Sequence, residues 1–133
     1  MTRPQIRVVS AEIELAGRYL ITQRRADAVL GGLWEFPGGR VRDGETDEEA
    51  FVRCLLDRVG LEVHVAEPTM EVVHDYGSYQ LTLAVYRCEA GDEVEARPLH
   101  VADLAWVRPE DFARYTFPGA DQHTVDQLVG ALD

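Results

Sequence analysis

The chain has 133 residues, of which 46% are hydrophobic and 28% charged, the balance of a folded globular protein long enough for a single domain, 1–133, without disulfide or metal staples. Its formal charge of −11 repels polyanions, so sequence-independent binding to a polynucleotide backbone is not expected. No apolar run approaches the roughly 20 residues of a membrane span and Met1-Thr2-Arg3-Pro4 begins no signal peptide, so a cytoplasmic location with no membrane partner is expected.

From Ile6 to Leu15 apolar and polar residues roughly alternate, Gly17-Arg18 marks a turn, and Tyr19-Leu20-Ile21 begins a second apolar run, which together predict two antiparallel strands. Arg24 to Gly39 carries four glycines and a proline around Leu33-Trp34-Glu35-Phe36, a loop enclosing a short strand, and Gly38-Gly39 allows close approach of a ligand to the backbone. Thr46-Asp47-Glu48-Glu49 has the capping-box spacing that opens a helix, predicted over about 47–59 and closed by Gly60 in a left-handed cap followed by Leu61. Val63 to Tyr76 and Tyr79 to Cys88 read as long strands joined at Gly77-Ser78, and Leu104 to Val107 as a shorter one. Pro109-Glu110-Asp111-Phe112 starts a helical turn, Pro118-Gly119 breaks it, and Asp121 to Leu132 has helical apolar spacing. Strands and helices mixed in so short a chain predict an α/β fold, a mixed sheet with helices on its faces.

Lysine is absent, so each cationic contact to a phosphate falls to one of thirteen arginines. Cys54 and Cys88 lack metal-ligand spacing and read as reduced thiols. The four histidines are scattered without metal-ligand spacing and read as surface or packing residues.

From Gly39 the chain runs five residues to Glu45, seven more to Arg53, and on through Leu55, Asp57, Gly60 and Leu61. This resembles the Nudix box, G-x5-E-x7-R-E-U-x-E-E-x-G-U with U a bulky aliphatic, lying on a predicted loop, helix and loop. Trp34-Glu35-Phe36-Pro37-Gly38-Gly39 is similar to the segment preceding the box in MutT-like proteins. Trp106-Val107 and Phe117-Pro118-Gly119-Ala120-Asp121 resemble the late strand and base-side segment. The resemblance implies the Nudix fold, a mixed β-sheet sandwiched between helices. It also implies magnesium-assisted attack of water on a nucleoside triphosphate, giving a monophosphate and pyrophosphate.

Three box positions depart from the family. Where it carries glutamates on one helix face, this chain has Cys54, Asp57 and Arg58, so three negative charges become one, opposed by a new positive charge. Magnesium needs hard oxygen ligands, which a cysteine sulfur does not supply. Glu45 and Asp57 are the remaining catalytic candidates and Asp57 the remaining metal ligand, with Glu93, Glu95 or Asp103 as late-loop substitutes. Glu45 also reads as a helix N-terminal carboxylate favoured by the dipole, and Asp57 as a salt-bridge partner. Arg53 reads as a structural residue that holds the loop, with phosphate contact as its alternative.

For a nucleotide, the candidates are Arg24, Phe36, Gly38, Gly39, Arg40 and Asp121. Arg24, Arg25 and Arg40 flank the glycine loop and offer bidentate contacts to phosphate, or are simply solvated. Phe36 and Trp34 stack on a base or belong to the core. Asp121 accepts a hydrogen bond from a base or caps the last helix. Two functions follow: a MutT-like enzyme, using magnesium if active, with weakened hydrolysis, or a catalytically silent domain that senses a nucleotide or docks a protein. The apolar helix, with Val52, Leu56 and Val59 beside Phe51 and Leu55, motivates docking and leaves a homodimer open.

Overall fold

The computed structural model describes residues 4–91 and 95–130. In chain order the strands are β1 (Gln5–Glu12), β2 (Glu14–Leu15), β3 (Arg18–Gln23), β4 (Trp34–Glu35), β5 (Gly38–Arg40), β6 (Val63–Asp75), β7 (Gln80–Ala90) and β8 (Asp103–Val107). Helix α1 spans Asp47–Val59, a 3-10 helix Pro109–Arg114, and helix α2 Gly119–Gly130.

One sheet has the order β5-β1-β7-β6. Its centre is a parallel pair, with Gln5 opposite Gln80 and Glu12 opposite Arg87. β5 joins β1 antiparallel, placing Gly38 opposite Ser10 and Arg40 opposite Val8. The second sheet gathers β2, β4 and β8 antiparallel around β3. The long hairpin expected from Gly77-Ser78 is present as β6 and β7, with a bulge around Pro68, which has no N–H for the ladder.

The N-terminal pairing differs from the sequence expectation. β1 does not fold back on β3; it lies between β5 and β7, and only Glu14-Leu15 pairs with Arg18-Tyr19. The burial of four consecutive residues, Val9 to Glu12, explains this, because a strand covered on both faces belongs in a sheet interior. The hairpin shrinks to the two-residue turn Ala16-Gly17, whose positive φ angles of 53° and 80° suit a type I′ turn.

Helix α1 follows its end signals. The Thr46 hydroxyl accepts from the Glu49 N–H at 3.1 Å, the Glu49 carboxylate accepts from the Thr46 N–H at 3.0 Å, and Gly60 ends the helix at φ 70°. The expected apolar stripe divides: Phe51, Leu55 and Val59 enter the core, whereas Val52 and Leu56 remain 45% and 50% exposed. Helix α2 begins two residues earlier than expected, so Asp121 lies in its first turn and is not its cap.

Strand alternation sorts the central sheet into two faces. Val9, Ala11, Ala84 and Cys88 pack with α1, whereas Val8, Leu83 and Val85 belong to the cluster that contains Ala120 of α2. The sheet is thus held between the two helices, with Phe36, Phe112, Val125 and Leu128 forming a further core beside it. Both cysteines are free, buried thiols, and burial pushes that of Cys88 up to about 12.

Candidate functional site

A cleft of about 310 Å³ opens on the α2 side of the central sheet and extends past the edge strand β5 to Arg58 of α1. Its walls include Ser10, Glu35, Gly38, Arg40, Arg58 and Asp121. Register sets the order along it: Ser10 is opposite Gly38, and Arg40 lies two residues further along β5.

Glycine is required at Gly38, and Gly39 is closely surrounded by side chains. A Cβ on Gly38 would collide with the Val9 carbonyl, and one on Gly39 would lie 2.6 Å from Cys54 Sγ and 3.1 Å from Arg58 Cζ. The loop can therefore press against β1 at Gly38 only without a side chain, and a Cβ at Gly39 would displace the ends of the Cys54 and Arg58 side chains.

The end beyond Ser10 is acidic. Asp121 is buried, and its carboxylate accepts a hydrogen bond from the Phe36 N–H; burial, reinforced by nearby Glu35, pushes its pKa well above the ordinary carboxylate range. Arg24 lines this part of the cleft but is already engaged, donating from Nη1 to both Glu35 oxygens at 2.9 and 3.0 Å and from Nε to the Val29 carbonyl at 2.6 Å. The Phe36 ring is 2% exposed, stacked on Phe117 at 5.4 Å and edge-on to Phe112 at 5.6 Å, so it supports the site from the core. Trp34 packs edge-on against Tyr115 at 5.0 Å.

Sequence reasoning missed Ser10. Its hydroxyl is buried, lies in the cleft wall, and has no hydrogen-bond partner among the described residues. The sequence carries no local signal for it; its place follows from the burial of Val9 to Glu12, within which a hydroxyl ordinarily requires a partner.

The box residues serve the loop. Arg53 donates to both Glu45 oxygens, each at 2.8 Å, and to the Arg40 carbonyl at 2.8 Å; the Arg42 N–H completes the ring by donating to Glu45 at 3.0 Å. These bonds hold the Glu45 carboxyl down to about 2. The structural reading of Arg53 is the one its contacts describe. Arg58 donates to the Gly38 carbonyl at 2.7 Å and so crosses the end of the glycine loop.

Asp57 points elsewhere. Its carboxylate is 60% exposed and lies 3.2 Å from Nδ1 of His100, a ring nitrogen that also contacts the Asp57 carbonyl at 2.9 Å. Neither Glu45 nor Asp57 lines the cleft.

The donor set does not fit a shared magnesium cluster. Glu45 has both oxygens committed to Arg53, Cys54 offers a soft sulfur that is 1% exposed, Asp57 faces His100, and Arg58 brings positive charge. Among the described residues no group of three His, Cys, Asp or Glu is placed to hold one ion. Glu95 and Asp103 are exposed, Asp103 accepts from the Leu104 N–H, and Glu93 lies outside the described residues.

Comparison with known proteins agrees with this architecture. The family model described as NUDIX domain matches residues 9–127. The chain is 33% identical over 116 residues to the CTP pyrophosphohydrolase of Escherichia coli K12, covering 87% of this chain and 85% of that one. It is 51% identical over 112 residues to the 8-oxo-dGTP diphosphatase of the same organism, covering 81% and 83%. Among solved structures, the E. coli ORF135 protein superposes with a TM-score of 0.79 at 28% identity, covering 98% of this chain and 91% of that one. The MutT protein of Methanosarcina mazei reaches 0.85 at 19% identity, covering 100% and 99%, a likeness of fold. With the glycine loop, the capped box helix and the sheet between two helices all in place, this chain belongs to the Nudix family as a MutT-like member.

Proposed function

We propose that this protein binds a nucleoside triphosphate and hydrolyses it to a monophosphate and pyrophosphate only weakly, so that binding outlasts chemistry. The observation that carries this reading is the polarity of one cleft. The buried Asp121 and the unpartnered Ser10 hydroxyl lie toward one end, and Arg40 and Arg58 line the glycine-loop side. A nucleotide has the complementary order, hydrogen-bonding base edge and then anionic phosphates. At about 310 Å³ the cleft falls at the lower end of small-molecule sites.

In this reading Asp121 and Ser10 meet the base, Phe36 positions Asp121 through its N–H, and Gly38 and Gly39 let the backbone approach the ligand. Arg40 meets phosphate, and Arg24 shapes the base end by holding Glu35. Glu45 and Asp57, the two carboxylates the box retains, lie outside the cleft, with Glu45 held by Arg53 and Asp57 facing His100, which supports slow turnover. The named activities of the relatives, on CTP and 8-oxo-dGTP, support a nucleoside triphosphate as the ligand class. Such ligands are cytoplasmic, which is where this reading places the protein.

The test is calorimetry with CTP, dGTP and 8-oxo-dGTP, first with magnesium and then with chelator, alongside a pyrophosphate-release assay. One ligand is expected to bind with similar affinity in both conditions, with slow release. Arg40→Ala is expected to weaken it about ten- to hundredfold, the loss of a charge-assisted contact. Fast turnover abolished by chelator would defeat the weakened-enzyme reading, and absence of binding in both conditions would defeat the nucleotide reading altogether.

A further inference from the structure

The cleft just described meets a second one, of about 650 Å³, at Arg40 and Arg58, which line both. Its wall holds five of the chain's thirteen arginines, Arg7, Arg40, Arg42, Arg53 and Arg58, against one acid, Asp43. On a chain with net charge −11 this is a local reversal of sign.

Two of the five are neutralised. Arg7 pairs with Asp47 and Glu71, each at 2.7 Å, and Arg53 pairs with Glu45. Arg40, Arg42 and Arg58 form no ion pair with a carboxylate among the described residues, although Arg42 lies near enough to Glu45 to help hold its carboxyl low, and all three line one concavity. Their mutual repulsion is relieved by an anion with several oxygens, and guanidinium is the cation best matched to phosphate.

The backbone carrying them is held in advance. Arg53 donates to the Arg40 carbonyl, Glu45 accepts from the Arg42 N–H, and the Val41 N–H donates to the Arg7 carbonyl at 2.9 Å. A pre-set frame reduces the ordering needed when an anion arrives. It also gives Glu45 and Arg53 a positioning role that requires no metal.

We propose that Arg40, Arg42 and Arg58 form a metal-independent site for a phosphate chain, either inorganic or the tail of a nucleotide whose base lies in the first cleft. Only the nucleotide arm rests on the function proposed above. In this site arginine supplies the positive charge that the box carboxylates no longer gather as magnesium.

The test is calorimetry of the full chain with inorganic tripolyphosphate in the presence of chelator, repeated with CTP and 8-oxo-dGTP. Saturable tripolyphosphate binding is expected, weakening with added salt and falling about tenfold or more in Arg42→Ala and Arg58→Ala. Arg114→Ala, which removes one exposed charge outside both clefts, is expected to leave it unchanged. Arg58→Ala also loses the bond to Gly38, so Arg42→Ala, whose side chain makes no hydrogen bond or ion pair among the described residues, keeps the test decisive if the former does not fold. Tripolyphosphate binding only with magnesium, or equal losses in Arg42→Ala and Arg114→Ala, would overturn the proposal. Nucleotide binding without tripolyphosphate binding would overturn it while leaving the nucleotide reading intact. Tripolyphosphate binding with no nucleotide binding would support it and remove that reading.

Discussion

Arg53 grips Glu45 with two parallel bonds, Nε to Oε2 and Nη2 to Oε1, both at 2.8 Å. The same guanidinium reaches the Arg40 carbonyl, so one side chain ties α1 to both ends of the loop that precedes it. The pair thus fixes the path of Arg40 to Glu45.

This arrangement makes a prediction in acid. Glu45 titrates near 2 in the folded protein, below the ordinary glutamate value, so its contribution is fully present above about pH 4.5 and is lost as pH falls toward 2. Glu45→Gln is expected to lower Tm by a few degrees at pH 7 and to flatten the fall of stability between those limits. Thermal melts from pH 2 to 7 check both. Equal acid slopes in the two proteins would remove Glu45 as the group responsible.

Asp121 acts with the opposite sign. Its folded pKa is raised, chiefly by burial, so above the ordinary aspartate value the native state holds a proton that the unfolded state has released. Stability therefore falls as pH rises from about 4 through the folded pKa, by up to about 1.4 kcal/mol per pH unit. Asp121→Asn keeps an oxygen acceptor for the Phe36 N–H without the charge. It is expected to be more stable than the parent at neutral pH and to lose this slope, as urea unfolding across pH 4 to 8 will show.

Restoring carboxylates tests the box itself. The parent is expected to bind no stoichiometric magnesium at millimolar concentration, whereas Cys54→Glu with Arg58→Glu is expected to bind it and to show a magnesium-dependent rise in Tm. Because Cys54 is buried, the double variant is expected to be less stable than the parent without metal. Calorimetry and melts with and without magnesium measure this. Tight magnesium binding to the parent at Asp57 would contradict the reading of the donor set.

Thr46→Ala is expected to cost about 1 kcal/mol, because it leaves the Glu49 N–H without its cap. Urea unfolding gives the value directly. A change below a few tenths would mean that water replaces the hydroxyl there.

The helices and the β6–β7 hairpin were legible in the sequence because their signals are local: Thr46 and Glu49 are three residues apart, and Gly60 lies at the turn it makes. The position of β1 was not, since its principal partner is 75 residues away and no short pattern encodes that pairing. The same division holds in the site. Gly38, Gly39 and Asp121 announced themselves through a motif and line the cleft. Ser10 gained its meaning only from the burial around it, and Arg58 from the Gly38 carbonyl across a loop. Arg58 reads from sequence as a lost carboxylate, whereas in three dimensions it is a cation shared by two clefts.

The parallel pairing of β1 with β7 also sets a timetable for synthesis. Gln5 cannot meet Gln80 until the intervening chain exists, a wait of ~4–15 s at ordinary elongation rates of ~5–20 residues per second. During that interval β1 has β5 available on one edge only, and the apolar surface meant for β7 is uncovered. The complete box, ending at Leu61, is therefore synthesised before the sheet that supports it can close. A nascent chain halted there exposes an open strand edge, the kind of surface that chaperones cover and that aggregation exploits.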